Sequence, residues 1–345
     1  MNLPYQPNLP IHLLAACFNK TSATYKFYWF LSIISKVEAG VTTINKRDLF
    51  IEMIAHSWFT VNYFHISFGK QDKLQVAIDR IKTIEHIPVD AKRQQIINAL
   101  LASGNKETFK HLQYFNSEVP HRFLSPWFNA ADMLQAYQYS QALTNNCPYA
   151  LHKDHIEINP NWIAYFQQNT RLLKDFCYWN LAMYLQAKNP NVPDIPNKLI
   201  KLPTRKDLNE QRKKYWNIVI QELGSVDCIY TNKALHIGDY AVEHFIPYAF
   251  VSHDLIWNLI PADRSFNCSK SDKLPIMQIH FEPFFQLQRN AVEVITAKFP
   301  NNRFLEEYLP LFPDFSPQYF NRDKFFEQIQ PLVTIASNNG FEFML

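Results

Sequence analysis

The chain has 345 residues, of which 47% are hydrophobic and 19% charged, a balance that excludes a mostly disordered protein. The formal net charge of +3 is small, so charge alone does not indicate a nucleic-acid partner. Only 6 glycines occur, and the sequence has no glycine-rich phosphate-binding motif, which argues against a nucleotide-binding fold of that kind.

The cysteines and the apolar runs bear on the cellular compartment. The 5 cysteines are odd in number and widely spaced, as is typical of reduced thiols in a cytoplasmic protein. The longest apolar run near the N-terminus, residues 27–34, is too short to cross a bilayer and too far along the chain for a signal peptide. We therefore expect a cytoplasmic protein with no membrane partner.

The first half of the chain is predicted to be helical, because apolar residues recur there at helical spacing. The predicted helices cover residues 24–37, 49–59, 74–84, 91–101, 133–143 and 171–185. Residues 151–158 alternate like a strand, which would place His152 and Asp154 on one face and His155 on the other. This placement favours a structural or solvent-facing role for the three residues over a metal site.

A proline-punctuated segment follows, with Pro190, Pro193, Pro196 and Pro203 close together. Proline interrupts helices and central strands, so residues 189–204 are predicted to be a linker. The sequence then divides into a helical domain at residues 1–188 and a second domain at residues 205–345. The absence of a Gly/Ser-rich linker leaves open the alternative of one continuous core.

The second domain begins with a predicted helix over residues 207–223. Two strands are predicted at residues 228–236 and 240–246, followed by a loop, a helix-like stretch up to Pro275 and further helices. The predicted fold class is therefore mainly α, with a small module of two strands and a helix in the C-terminal part.

The polar residues of this module are ordered in a way that core packing does not require. Glu243 and His244 stand near the end of the second predicted strand. Asn258 follows His244 by fourteen residues, and Asn267 follows Asn258 by nine residues. Lys270 would share a helix face with Asn267 if the chain is helical from residue 265 onward.

This set of residues is suited to hydrolysis of a phosphodiester. Carboxylate and amide oxygens are hard ligands for Mg²⁺ or Mn²⁺, which neutralises the phosphate and stabilises the leaving oxygen. Histidine can act as a general base near neutral pH.

The string YAVEHFIPYAFVSHDLIWNLIPADRSFNCSKSDKLP resembles the HNH motif of the ββα-metal nuclease superfamily, in the variant whose last histidine is asparagine. It is similar to the HNH domain of the RNA-guided CRISPR effector nucleases. It is more similar still to a group of bacterial proteins described as HNH endonuclease domain-containing proteins. The resemblance covers residues 228–275, and TYKFYWFLSII at residues 24–34 is also similar to the bacterial group.

The resemblance implies a role for each of the module's polar residues. Glu243 would be the first metal ligand and His244 the general base. Asn258 would hold the loop between strand and helix, and Asn267 would be the second metal ligand. Lys270 would lie near the scissile phosphate.

Several basic residues are candidate nucleic-acid contacts: Lys270, Lys273, Arg264, Arg212 and Lys213. Lys270 and Lys273 are equally consistent with a solvated face. The run 212–214 would contact the DNA backbone only if it borders the active-site groove, and otherwise forms an ordinary charged helix face.

The chain departs from the family pattern in three ways. Glu243 replaces the commoner aspartate. Cys228 has no C-x-x-C partner, so no structural zinc is expected. Adjacent strand residues point to opposite faces, so Glu243 and His244 could face one metal only if the strand bends or ends there, as Pro247 suggests. His253 with Asp254, and His280, are possible further metal ligands, although a surface position is favoured for each.

The resemblance implies a metal-dependent DNA endonuclease, with double-stranded DNA the favoured substrate and bacterial defence against phage or mobile DNA the role. Residues 1–188 are predicted to recognise the target or a partner protein. The alternative is a non-catalytic nucleic-acid-binding or regulatory protein that keeps the ββα fold.

Overall fold

The computed structural model describes residues 3–128, 132–200 and 207–344, without the side chains of residues 267–269. The chain forms two compact units. The first unit comprises Met1–Pro190 and Ile195–Leu202, and the second comprises Asn191–Asp194 and Pro203–Leu345.

Helices make up most of the first unit. They are α1 (Ile11–Ala16), α2 (Tyr25–Glu38), α3 (Lys46–Asn62), α4 (Lys73–Glu85), α5 (Arg93–Ala102), α6 (Lys106–Gln113), α7 (Pro120–Phe123), α8 (Met133–Gln141), α9 (Pro160–Gln168), α10 (Thr170–Lys188) and α11 (Ile195–Ile200). Short 3₁₀ turns occur at Tyr114–Ser117 and Leu143–Asn145. The strands β1 (Thr43–Asn45), β2 (Tyr149–Leu151) and β3 (His155–Ile158) form an antiparallel sheet in the order β1–β3–β2.

The core of this unit is built around α2, which packs against α3, α9 and α10. Five consecutive side chains of α2, residues 27–31, are buried, so the helix is apolar on every side. Each large side chain buried in this way stabilises the fold by roughly 1.5–3 kcal/mol.

The prediction of one alternating strand over residues 151–158 is wrong. The chain reverses after Leu151, and β2 and β3 form a hairpin. The reversal stacks the rings of His152 and His155 with centroids 4.4 Å apart, so the two histidines are not on opposite faces. His155 Nδ1 lies 2.8 Å from Asp154 Oδ1.

The proline-punctuated segment also contains a helix, against the expectation from its prolines. α11 begins at Ile195 and packs against α10 and α3. Pro196 stands in its first turn, where the missing amide hydrogen has no partner within a helix in any case. The rest of the predicted linker from residue 201 onward, including Pro203, lies outside the described residues.

In the second unit, the helix predicted over residues 207–223 consists of α12 (Asn209–Gln211), a π-helical turn (Arg212–Trp216) and α13 (Asn217–Leu223). The elements that follow are β4 (Val226–Asp227), β5 (Ala234–Leu235), β6 (Ala241–His244), α14 (Tyr248–Val251), a 3₁₀ turn (Ile256–Asn258), β7 (Leu259–Ala262), α15 (Arg264–Lys270), α16 (Met277–Lys298), a 3₁₀ turn (Arg303–Tyr308) and α17 (Arg322–Asn338).

The central module of this unit is β6, β7 and α15. β6 pairs antiparallel with β7, with Glu243 opposite Ile260 and His244 opposite Leu259. The fold is therefore mainly α with a small ββα module in the C-terminal part, as predicted. No described helix combines the length and apolar character needed to cross a membrane.

The prediction of the strand that pairs with β6 is wrong. Residues 228–236 form no continuous strand, because the chain turns back between β4 and β5, and these two short strands pair with each other. The partner of β6 is β7, which was expected to be part of a loop and helix-like stretch. β7 is buried along its whole length, so it has no alternating pattern, and it contains Pro261, which is unusual within a strand.

Candidate active site

His244 is the last residue of β6, and its imidazole is held by Asp254. Its Nε2 lies 3.1 Å from Asp254 Oδ1, and the two side chains are 13% and 18% exposed. A carboxylate accepts hydrogen bonds only, so Nε2 is the donor, and in the neutral imidazole Nδ1 then carries the lone pair. Asp254, which was favoured as a surface residue, instead fixes the tautomer and orientation of His244.

Asn258 ties the chain segment after β6 to the segment before β7. Its Oδ1 accepts a hydrogen bond from the Ile246 amide, and its Nδ2 donates to the Ile246 carbonyl, both at 2.8 Å. The Phe245 amide also donates to the Asn258 carbonyl at 2.8 Å. The side chain is fully buried, so these bonds are shielded from water and rigidify the segment that carries His244.

The 3₁₀ turn that contains Asn258 is supported from outside the module. Gln288 Nε2 donates to the carbonyls of Leu259 at 2.9 Å and Ile256 at 3.3 Å. The Tyr308 hydroxyl donates to Gln288 Oε1 and lies 3.0 Å from the Tyr215 hydroxyl. Because the single hydroxyl proton of Tyr308 points to Gln288, Tyr215 is the donor to Tyr308.

A carboxylate supports the same turn. The Ile256 amide donates to Glu307 Oε2 at 2.6 Å. Burial raises the pKa of Glu307, and the bond from Ile256 opposes that effect. The turn is thus anchored at its first residue as well as at its carbonyls.

Glu243 and Lys270 form an ion pair between β6 and α15. Lys270 Nζ lies 3.2 Å from Glu243 Oε1 and donates to the His244 carbonyl at 2.8 Å. Lys270 is only 1% exposed and Glu243 only 8%. The alternative of a solvated face is therefore wrong for Lys270, because its ammonium lies inside the module. Contact with a phosphate would require this ammonium to move away from Glu243.

The residues that surround Glu243 decide whether a divalent metal could bind there. Among the described residues, no group of three or more His, Cys, Asp and Glu side chains could hold a metal ion. Asn267 lies on α15, but its side chain is outside the described part of the chain. The Glu243 carboxylate lies beside the same helix, and one carboxylate with one amide oxygen fits a hard cation that keeps several waters.

Tyr230 also lies near Glu243, and the sequence analysis did not identify it. Its ring stacks on Phe266 with centroids 4.7 Å apart, and its buried hydroxyl has no hydrogen-bond partner among the described residues. Burial raises the pKa of Tyr230, and the nearby Glu243 carboxylate raises it further. An unpaired buried hydroxyl is costly, so a ligand oxygen beside Glu243 would relieve it.

The candidate nucleic-acid contacts fall into two groups. Arg264 donates to the Gly238 carbonyl at 2.5 Å, and the Arg212 guanidinium lies 5.9 Å from the centre of the Tyr240 ring. Both arginines therefore contact the turn before β6. Lys213 is exposed and Lys273 half-buried, and within the described residues neither forms an ion pair.

The other residues that the sequence analysis considered as metal ligands are His253, His280 and Cys228. The His253 ring lies 5.1 Å from the Trp257 ring. His280 Nδ1 lies 3.1 Å from both the amide and the carbonyl of Ile276, and burial lowers the pKa of this imidazole. Cys228 is buried, and its Sγ accepts from the Asp263 amide at 3.4 Å.

A family model described as HNH endonuclease matches residues 228–276. This range contains β5, β6, β7 and α15, and with them His244, Asp254 and Asn258. Comparison with curated proteins and with solved structures gives no match.

Proposed function

We propose, from the membership of residues 228–276 in the HNH endonuclease superfamily, that this protein is a metal-dependent endonuclease that hydrolyses DNA phosphodiester bonds. The observation that supports it most strongly is the hydrogen bond from His244 to Asp254 at the end of β6, because it prepares an imidazole with one free nitrogen.

In the proposed reaction His244 is the general base. Its Nδ1 takes a proton from a water molecule whose oxygen attacks the phosphorus. The bond from phosphorus to the leaving oxygen then breaks, and that oxygen takes a proton from solvent. Asp254 stabilises the positive charge that forms on the imidazole, and Asn258 holds the backbone around it.

Glu243 and Asn267 would hold the divalent metal, Mg²⁺ or Mn²⁺. The metal would supply charge neutralisation at the phosphate. Because Lys270 already neutralises Glu243, we propose that this ammonium is released on metal binding and then binds a phosphate oxygen. Lys273, Lys213, Arg212 and Arg264 are proposed to contact the nucleic-acid backbone.

The test is cleavage of a supercoiled plasmid by the full chain with Mg²⁺ or Mn²⁺, with and without a chelator. His244→Ala is expected to lower the rate by about 10²–10⁴ and to leave DNA binding intact. His236→Ala is the matched control, since His236 is an exposed histidine of the same unit. Activity of His244→Ala close to that of the wild type would remove His244 from this role.

We further propose that the protein is cytoplasmic, that double-stranded DNA is the substrate and that the role is bacterial defence against phage or mobile DNA. Residues 1–188 would recognise the target or a partner protein. Pro203–Leu345 expressed alone should then cut DNA with less discrimination than the full chain. A fragment that cuts with unchanged discrimination, or that is insoluble, would count against this division of roles.

The Glu243–Lys270 ion pair favours a second candidate function, a nucleic-acid-binding protein that keeps the ββα fold without catalysis. In that case Lys270 would permanently replace the metal, and the pure protein would bind DNA but cut none at any Mg²⁺ or Mn²⁺ concentration.

A further inference from the structure

A small cationic cavity lies in the first unit, where the chain enters α2. Its volume is about 70 Å³, and it is lined by Lys20, Thr21, Ser22, Ala23, Tyr25, Lys26, Glu118, Val119 and Arg122. Three of these residues are cationic, and Glu118 is the one acid among the described residues that line the cavity. The lining therefore carries an excess of positive charge.

Lys26 is the member of this lining that most needs a negative partner. Its Nζ donates to the Cys17 carbonyl at 3.3 Å and to Ser125 Oγ at 3.4 Å, and both acceptors are neutral. Within the described residues no carboxylate pairs with it. Burial lowers the pKa of Lys26. A partly buried ammonium without a counter-ion is stabilised when an anion binds beside it.

The backbone at the start of α2 adds further donors. The Thr24 amide is occupied, since it donates to Asp72 Oδ2 at 2.6 Å, but the Thr24 side chain does not cap the helix. The amides of Tyr25 and Lys26, in the first turn, have no acceptor within the helix. In this 14-residue helix the amide end also carries the positive pole of the helix dipole.

Arg122 and Lys20 are the other two cationic residues that line the cavity. Arg122 Nη1 lies 3.0 Å from Glu118 Oε2, which leaves other guanidinium nitrogens available. Lys20 is exposed and forms no ion pair in the described part of the chain. Donors from three cationic side chains and two amides exceed what the two oxygens of a carboxylate can use. They match the several terminal oxygens of a phosphoryl group.

We propose that this cavity binds a phosphoryl group, supplied either by a strand end of a nucleic acid or by a free nucleotide. The proposal concerns the first unit and does not depend on nuclease activity.

The first experiment measures the melting temperature of the full chain with and without inorganic phosphate, and the affinity by calorimetry. The variants are Lys20→Gln/Lys26→Gln, Lys26→Arg, and the control Lys110→Gln, an exposed lysine of the same unit. Phosphate should stabilise the wild type, Lys26→Arg and the control, because a ligand that binds the native state raises its melting temperature. The double variant should bind at least about tenfold more weakly, since it loses two charged donors.

The result that would overturn the site is equal phosphate affinity in the double variant and the control. Acetate binding as strongly as phosphate would overturn the phosphoryl assignment. The folding of the double variant is checked by its circular dichroism. If the double variant does not fold, Lys26→Arg still tests the proposal, because it keeps the positive charge and should keep phosphate binding. Loss of phosphate stabilisation in Lys26→Arg would contradict the proposal.

The second experiment separates the two sources. A duplex with a 5′-phosphate and the same duplex with a 5′-hydroxyl are compared, with adenosine monophosphate as the nucleotide probe. A preference for the phosphorylated duplex that disappears in the double variant supports a strand end. Competition of adenosine monophosphate with inorganic phosphate, without a duplex preference, supports a free nucleotide. If neither probe competes with inorganic phosphate for the cavity, the proposal is wrong.

Discussion

The hydrogen bond between His244 and Asp254 can be tested by Asp254→Asn, which keeps the size of the side chain and removes its charge. Both side chains are largely shielded from water, at 13% and 18% exposure. The asparagine oxygen can still accept from Nε2, so the imidazole should keep its orientation. The charge that stabilises the imidazolium is lost.

Asp254→Asn replaces a hydrogen bond to a charged acceptor by one to a neutral acceptor, and this difference sets the expected loss of cleavage rate. A hydrogen bond to a charged group contributes about 1.5–3 kcal/mol, and a neutral one contributes about 1 kcal/mol. The difference, roughly 0.5–2 kcal/mol, corresponds to a loss of about 2–30-fold in the cleavage rate. DNA affinity should not change, because Asp254 acts through His244 rather than on the substrate.

The assay is single-turnover cleavage of a plasmid by four proteins: wild type, Asp254→Asn, His244→Ala and the double variant. If Asp254 acts through His244, Asp254→Asn should slow the wild type but have no further effect once His244 is alanine. Asp227→Asn, an exposed aspartate of the same unit, is the control. An equal loss of rate in both backgrounds would refute a positioning role and indicate general destabilisation.

Three further predictions concern the ion pair, the metal and acid stability. Lys270→Met should melt at a lower temperature than the wild type, since breaking a buried ion pair costs up to about 3–5 kcal/mol, and Mg²⁺ should stabilise this variant more than the wild type. A chelator should stop cleavage, and elemental analysis should find no stoichiometric zinc; one tightly held zinc per chain would contradict that. Burial, together with the smaller effects of the nearby Arg93 and Lys174, lowers the pKa of His56 to about 3. Because the unfolded chain then binds a proton at His56 that the folded chain does not, the free energy of unfolding should fall as the pH decreases from about 6.5 toward 3. His56→Gln should reduce this pH dependence in urea unfolding.

The parts of the fold that follow from local pattern were predictable. α2, α3 and α10 are long stretches rich in apolar residues, and α15 begins close to the position at which the sequence placed it. β7 was not predicted, since four buried residues that include Pro261 give no strand signal, and only its pairing with β6 makes it a strand. The turn between β4 and β5 was also missed, although Asn232 adopts the left-handed conformation that asparagine tolerates.

The candidate site, like the fold, could be predicted from the sequence only in part. Glu243, His244 and Asn258 could be selected because they stand at recognisable spacing within one short segment. Asp254 lies in that segment too, but its bond to His244 depends on how the loop folds back. The pairing of Lys270 with Glu243 depends on the angle between α15 and β6, which no sequence spacing specifies. Tyr230 is adjacent to the site through a ring stack that joins the turn after β4 to α15.

The geometry of the site also depends on residues beyond the segment that matches the family model. Gln288 and Glu307 hold the turn that contains Asn258, and both follow residue 276 in the chain. Tyr215, which precedes residue 228, lies at the start of the hydroxyl chain that reaches Gln288. In this hydrogen-bonded network each buried polar group is the partner of the next. Loss of one group therefore leaves its neighbour without a hydrogen bond and loosens the turn. The ββα module is therefore completed by the helices around it, and a fragment limited to the matched segment would lack Tyr215, Gln288 and Glu307.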